Sequence, residues 1–224
     1  MLLVSEKVLS YFLEVLQVDI KKVMLFFLMT LLAAANPVQR KNFGTSLGVD
    51  TDTILISGFV KEEVNGFSEL VFYNLKNQKA EITALPKKYE NRNVMALAAH
   101  KDPDKFYVVT QLQRGDLDDP QLHLWDSKAK TWEDLATLHC RVFKKYEVKA
   151  GEIQLSCKSE TEIDKKGVLK TEMKSFTAHD IRAINSQNFS YDKVQVVGAL
   201  ENEIKITLKK DPKKPLILKA EQVL

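Results

Sequence analysis

Apolar and polar positions alternate most clearly in Gln121 to Leu138, QLHLWDSKAKTWEDLATL. Leu122, Leu124 and Trp125 form a short run that can be buried on both faces, which predicts a strand inside a stack of sheets. Asp126 to Lys130 is polar and turn-forming. Thr131-Trp132 then resumes a strand that ends near Leu135. Glu69 to Pro86 (ELVFYNLKNQKAEITALP) repeats the layout of strand, turn and strand.

The same grammar runs through the rest of the chain. Thr53 to Val60, Leu70 to Tyr73, Ala80 to Thr83 and Phe106 to Gln111 read as strands, rich in β-branched and aromatic residues. Val94 to Ala99 fits helix or strand by periodicity, and its length before the turn at Asp102-Pro103-Asp104 favours strand. Cys140 to Val148 and Glu152 to Lys158 form a hairpin pattern around Lys149-Ala150-Gly151. Val168 to Phe176, Val194 to Leu200, Ile204 to Leu208 and Leu216 to Ala220 complete the strands. Asn36 to Thr53 reads as polar and irregular, and Ala178 to Ile184 as a short helix or a poorly formed strand. Strands with turn signals about every 8–12 residues indicate a sandwich, barrel or propeller. No long helical pattern exists outside the N-terminus, which argues against a βαβ fold.

Internal repetition narrows the choice. Tyr73-Asn74 and Trp125-Asp126 lie 52 residues apart, as do Leu55-Ile56 and Tyr107-Val108. Ile82-x-x-Leu85 matches Trp132-x-x-Leu135 at an offset of 50, which predicts a turn two residues shorter in the second copy. Comparable strands begin near Ile153 and Ile204. The pair Trp125-Asp126, followed by Trp132 and Leu135 with Phe106 to Val109 upstream, resembles a kelch repeat, a propeller blade of about 50 residues. The first copy has Ile82 in place of the Trp. Both copies lack the family's diglycine: Ser57-Gly58 and Thr110-Gln111 stand near that place. The resemblance covers residues 53–140 and implies an all-β, β-propeller-like fold of about four small antiparallel blades, with a binding role. Trp132 and Leu135 would then fill the gap between blades. A β-sandwich with regularly spaced strands is the alternative.

The N-terminus carries a separate signal. Lys21-Lys22 precedes thirteen uncharged, mostly apolar residues, Val23 to Ala35, ending in small residues at Ala33 and Ala35. That pattern predicts export with cleavage after Ala35, so residues 1–35 form a signal-peptide region and 36–224 a single all-β domain, secreted or periplasmic. The apolar core is shorter than the roughly 20 residues a bilayer span requires. Glu6, Lys7, Glu14 and Asp19 are unusual in a signal; translation from Val18 would exclude residues 1–17. An amphipathic helix before an uncleaved anchor is the other reading. No stable membrane anchor is expected after cleavage.

Candidate chemistry is sparse. Cys140 and Cys157 are an even count, so one disulfide is expected in an oxidising compartment. A simple hairpin at Ala150-Gly151 would not set them directly opposite. Gly44-Thr45-Ser46-Leu47-Gly48 fits the nucleophile-elbow pattern, which works only on a strand-to-helix turn; the expectation here is a flexible N-terminal turn. His100, His123, His139 and His179 lack zinc spacing. His139 and Cys140 are adjacent and would point to opposite faces of a strand. Asp50 with Asp52, Asp102 with Asp104, and Asp116 with Asp118 and Asp119 form acidic loops, read as solvated turns. Lys209 to Lys214 is a basic turn, read as solubilising and edge-protecting. Asn188-Phe189-Ser190 is a glycosylation sequon. With 33 basic and 30 acidic residues the net charge is +3, which gives no nucleic-acid footprint.

No catalytic, cofactor or metal residues are therefore expected. The reading is a non-catalytic binding module for a protein or glycan ligand. A glycan hydrolase or lyase is the alternative; it requires Asp102 or Asp104 to face Asp116, Asp118 or Asp119 at about 5–9.5 Å. A third reading has the blades completing a larger ring with another copy of the chain.

Overall fold

The computed structural model describes residues 40–61, 66–89, 91–112, 119–140, 143–184 and 186–224. The chain divides into two units between Val38 and Gln39. The expected export signal, with its cleavage after Ala35 and the alternative start at Val18, lies outside the described residues.

Gln39–Leu224 is a four-bladed β-propeller-like ring of small antiparallel sheets, not two sheets face to face. Blade 1 is β1 (Arg40–Gly48), β2 (Thr53–Lys61), β3 (Gly66–Asn74) and β4 (Lys79–Ala84). Blade 2 is β5 (Arg92–Ala99), β6 (Lys105–Leu112), β7 (Gln121–Asp126) and β8 (Thr131–Thr137). Blade 3 has three strands, β9 (Phe143–Lys149), β10 (Gly151–Ile163) and β11 (Leu169–Ala178). Blade 4 also has three, β12 (Tyr191–Val197), β13 (Glu203–Leu208) and β14 (Asp211–Lys219), followed by the one-turn helix α1 (Ala220–Val223). Leu55, Tyr107, Ile153 and Ile204 all fall in the second strand of their blades, as their spacing predicted.

Strand alternation explains why these segments are apolar throughout. Ile54, Ile56, Val71 and Tyr73 point one way and join Tyr191, Ile204 and Ile206 of blade 4 in one buried cluster. Leu55 and Leu70 point the other way and join Phe106, Val108 and Trp125 of blade 2. On the far face of blade 2, Tyr107, Val109 and Leu122 meet Ile153, Leu155 and Phe176 of blade 3. Successive residues therefore serve opposite interfaces, and each sheet depends on its neighbours to bury its surfaces.

Blades 1 and 2 correspond at a constant offset of 52. Leu55 pairs with Phe72 as Tyr107 pairs with Leu124, and Tyr73 pairs with Ala80 as Trp125 pairs with Trp132. Asn74 and Asp126 each accept hydrogen bonds from the backbone N–H groups two and three residues on. Each turn closes on a left-handed residue, Gln78 (φ 56°) and Lys130 (φ 56°). The two turns are thus equal in length. This corrects the sequence alignment: Trp132 corresponds to Ala80, and Ile82 to Asp134. Leu135 does not fill the gap between blades; it is 41% exposed. Trp132 does reach inward, stacking on Trp125 with centroids 5.6 Å apart.

The segment expected to be irregular, Asn36 to Thr53, instead contains β1. Its glycines permit close packing. A Cβ on Gly48 would lie 2.4 Å from atoms of Phe189 and Tyr191, and one on Gly58 of β2 would lie 2.1 Å from Leu224. The basic turn is also tighter than the sequence implied. Lys209-Lys210 alone form it, and Asp211 already pairs with Leu208. The rest becomes the outer edge of blade 4, where Pro212 and Pro215 break the row of donors that could recruit another strand.

The odd strand count of blade 3 has a topological consequence. β11 leaves the ring at the end where β9 ends, opposite to the end at which β4 and β8 finish. β12 therefore starts beside the end of β1, where Ser190 N donates to Thr51 O at 2.8 Å. It runs back against β1, and Phe43 N donates to Glu201 O at 2.8 Å after the strand has ended. The connection from Ala178 to Tyr191 must cross that end of the ring.

Candidate functional site

That end of the ring holds a cavity of about 370 Å³. Its walls are the last residues of three first strands: Leu47 of β1, Leu97 to Ala99 of β5, and Val148-Lys149 of β9, with Ala150 after it. The fourth wall is Ile181 to Ile184, part of the connection imposed by the three-stranded blade. Backbone bonds fix this segment to blade 2. Arg182 N donates to Ala99 O at 2.7 Å, Lys101 N donates to Asp180 O at 2.7 Å, and Ile181 bridges His100. Lys101 Nζ also pairs with Asp180 at 2.7 Å. Ala178 is the last residue of β11, and from there to Ile184 the chain forms no helix and one isolated bridge, a strap pinned by its backbone. The lining is mainly apolar and contains two cations, Lys149 and Arg182.

A second cleft of about 400 Å³ lies between blade 1 and blade 4, lined by Asp52, Lys76, Lys209 and Lys210 among others. Lys209 Nζ is held by Gln187 O at 2.9 Å.

Blade 2 contains a polar chain that resembles catalytic geometry. Arg92 Nε donates to Thr110 Oγ1 at 2.9 Å. Thr110 Oγ1 meets His123 Nε2 at 2.8 Å, and His123 Nδ1 meets Asp134 Oδ1 at 2.8 Å. Tyr89 Oη donates to the same carboxylate oxygen, and Lys88 Nζ reaches Oδ2 at 3.1 Å. With His123 neutral, the donors order as Arg92 to Thr110, Thr110 to His123 Nε2, and His123 Nδ1–H to Asp134. A hydroxyl, an imidazole and a carboxylate in line are the parts of a nucleophilic triad. Here Thr110 and His123 are each 0% exposed, so no substrate reaches the hydroxyl. At the offset of 52, His123 and Asp134 replace the apolar pair Val71 and Ile82 of blade 1. The network is buried at Thr110 and His123 and opens to solvent at Asp134, in the place of an apolar contact.

Burial pushes His123 below its usual value of 6.5. The Tyr89 hydroxyl, with further hydrogen bonds from His123 and Lys88, holds the Asp134 carboxyl down at about 2. Both groups bind protons less readily in the folded state, so both contribute stability that is complete above their unfolded values and lost in acid. The denaturant midpoint should fall first as pH drops below 6.5, when unfolded His123 takes a proton that the folded protein refuses. It should fall again between 3.8 and about 2, as the unfolded Asp134 protonates. Urea titrations from pH 7.5 to 2.5 test this, and His123→Gln should lose the first decline. A wild-type midpoint constant from pH 7 to 5 would contradict the network.

The residues singled out in the sequence disperse. Cys140 and Cys157 are bonded, with Cα atoms 5.4 Å apart. Cys140 precedes β9 instead of lying in it, which resolves the register objection, because the hairpin partner of Cys157 is Phe143. His139 pairs with Asp119 at 2.7 Å, away from any thiol. Ser46 lies within β1, an antiparallel strand, so the nucleophile-elbow pattern has no elbow. Asp50, Asp102 and Asp164 cap turns by accepting backbone N–H groups. Asp102 and Asp104 sit at the β5–β6 turn and Asp119 at the opposite end of β6, more than about 15 Å away by strand rise. The carboxylate pairing required for glycan hydrolysis does not form between them; Asp116 and Asp118 lie outside the described residues. Among the described residues no three His, Cys, Asp or Glu side chains converge as a metal site, and no helix is long and apolar enough to cross a membrane.

Sequence reasoning missed both the cavity and Arg182. The walls come from four separated segments, and the Ile181 to Ile184 strap carries no motif. The available signal was the strand count: a three-stranded blade sends its exit to the other end of the ring. No protein-family model matches this chain, and no curated protein matches it in sequence.

Proposed function

We propose that this chain is a secreted or periplasmic propeller-like binding protein, non-catalytic, that holds a protein or glycan ligand at the walled end of the ring. The observation that carries the proposal is the cavity of about 370 Å³ where the first strands of three blades end under a pinned strap. Ligand sites in ring folds need this convergence of loops from several units on one rigid frame. The Cys140–Cys157 bond fits an oxidising compartment. The constant offset between blades 1 and 2 supports degenerate kelch-like repeats as part of the same reading.

Ala183 lines the cavity and is exposed. Ala183→Arg should therefore fill the mouth without disturbing the core. Binding to glycan arrays and to the exported proteins of the source, measured for wild type and variant, tests the proposal. The variant should keep its melting temperature and lose the wild-type ligand. A ligand retained at full affinity would place the binding surface elsewhere.

A further inference from the structure

The cavity at the ring end has a charge that its own surroundings do not answer. Of the two cations in its lining, Lys149 Nζ is already engaged by Gln154 Oε1 at 3.0 Å and by Glu147 at 3.5 Å. Arg182 differs. Its Nη2 is buried without a hydrogen-bond partner, and no carboxylate among the described residues pairs with it. A partly buried guanidinium left unmatched is unfavourable unless something else supplies the anion. Its backbone is fixed by the bond to Ala99 O at 2.7 Å and by the neighbouring Ile181–His100 bridge, and the residue is part of the cavity lining. The remaining walls, Leu47, Leu97, Val148, Ile181 and Ile184, are apolar. At about 370 Å³ the space falls at the small end of ligand pockets, which run about 300–1,000 Å³.

We infer that this cavity binds a small organic carboxylate, with its hydrocarbon part against the apolar walls and its carboxylate on Arg182. The guanidinium fork matches a carboxylate better than it matches a hydroxyl or an amide. The hydrocarbon walls disfavour a heavily hydrated dianion such as free phosphate. The inference rests on the reading that the walled end of the ring is the binding face, and adds the chemistry of what enters there.

Hexanoate is the probe, with 1-hexanol and hexylamine as partners of equal chain length. In a titration of the whole chain followed by amide NMR, hexanoate should shift Ala98, Ala99, Ala150 and Ala183. It should bind at least tenfold more tightly than 1-hexanol, and hexylamine should be weakest. Arg182→Gln should reduce hexanoate to the affinity of 1-hexanol. Arg182→Lys, which keeps the charge but loses the fork, should weaken hexanoate several-fold and keeps the test open if the glutamine variant folds poorly. Without ligand, Arg182→Gln should melt no lower than wild type, since it removes an unmatched cation. Equal binding of hexanoate and 1-hexanol, an Arg182→Gln variant that binds hexanoate as wild type does, or no shift at those four amides would overturn the inference. The binding face would survive such a failure, because it is tested separately through Ala183→Arg.

Discussion

Trp125→Ala is expected to destabilise the protein by about 3–5 kcal/mol, the range for removing a large buried aromatic side chain. Trp125 is 1% exposed and lies among Phe72 of blade 1, Phe106 of its own blade and Trp132, each with centroids 5.6 Å away. It closes the interface between blades 1 and 2, so its loss empties a gap that two sheets share. Chemical denaturation should show the loss as a lower midpoint. The slope should be unchanged if the ring still unfolds as one unit. Tyr73→Ala at the corresponding place in blade 1 should act in the same direction at the interface with blade 4. A loss below about 1 kcal/mol for Trp125→Ala would mean that the blade 1–blade 2 interface does not support the fold.

The second large effect concerns the disulfide. Replacing both Cys140 and Cys157 by alanine should remove about 3 kcal/mol, as expected for a loop of this length in the chain-entropy model. The bond spans a sequence separation of 17 and ties the entry to blade 3 onto β10. For a unit of this size that loss corresponds to a melting temperature lower by roughly 6–12 °C. Calorimetry of the wild type with and without reductant should reproduce the shift. An unchanged melting temperature under full reduction would show that packing against Ile153 and Phe176 alone holds the entry segment in place.

The readable parts of the fold share a physical cause. β2, β3, β6 and β7 are buried on both faces, so their apolar runs are long and their turns carry Asn, Asp and Lys signals. The turns at Asn74 and Asp126 repeat because an Asx side chain can cap a tight turn by itself. β1 was unreadable for the opposite reason. Its sequence RKNFGTSLG buries few large side chains. Near the ring axis it needs small residues instead: a Cβ on Gly44 would come within 2.6 Å of Ser57 Oγ. The same crowding hides β1 from any hydrophobic pattern. The equal turn lengths are hidden in the sequence because Ile82-x-x-Leu85 and Trp132-x-x-Leu135 share a spacing by coincidence, whereas cross-strand pairing places Trp132 opposite Trp125 and Ala80 opposite Tyr73.

The candidate site was less legible than the fold. His123 sits in an apolar run and reads as part of it; only the cross-strand pairing with Asp134 and the approach of Tyr89 reveal its partners. The cavity depends on where chain ends meet, which is a property of strand count and direction and not of any local motif. The reading of Asp50 and Asp102 as turn residues, by contrast, was accessible in the sequence; each accepts backbone N–H groups in its turn.

The central claim is that the sheets stand side by side around an axis, each covering its neighbours. Nuclear Overhauser contacts between side chains of different blades test it most directly. Trp125 ring protons should show contacts to Phe72, across blades, as well as to Phe106. The Thr45 methyl group should show contacts to the Tyr146 ring, joining β1 of blade 1 to β9 of blade 3 through their hydroxyls. A spectrum in which Trp125 meets only residues of its own sheet, and Thr45 is remote from Tyr146, would contradict the ring.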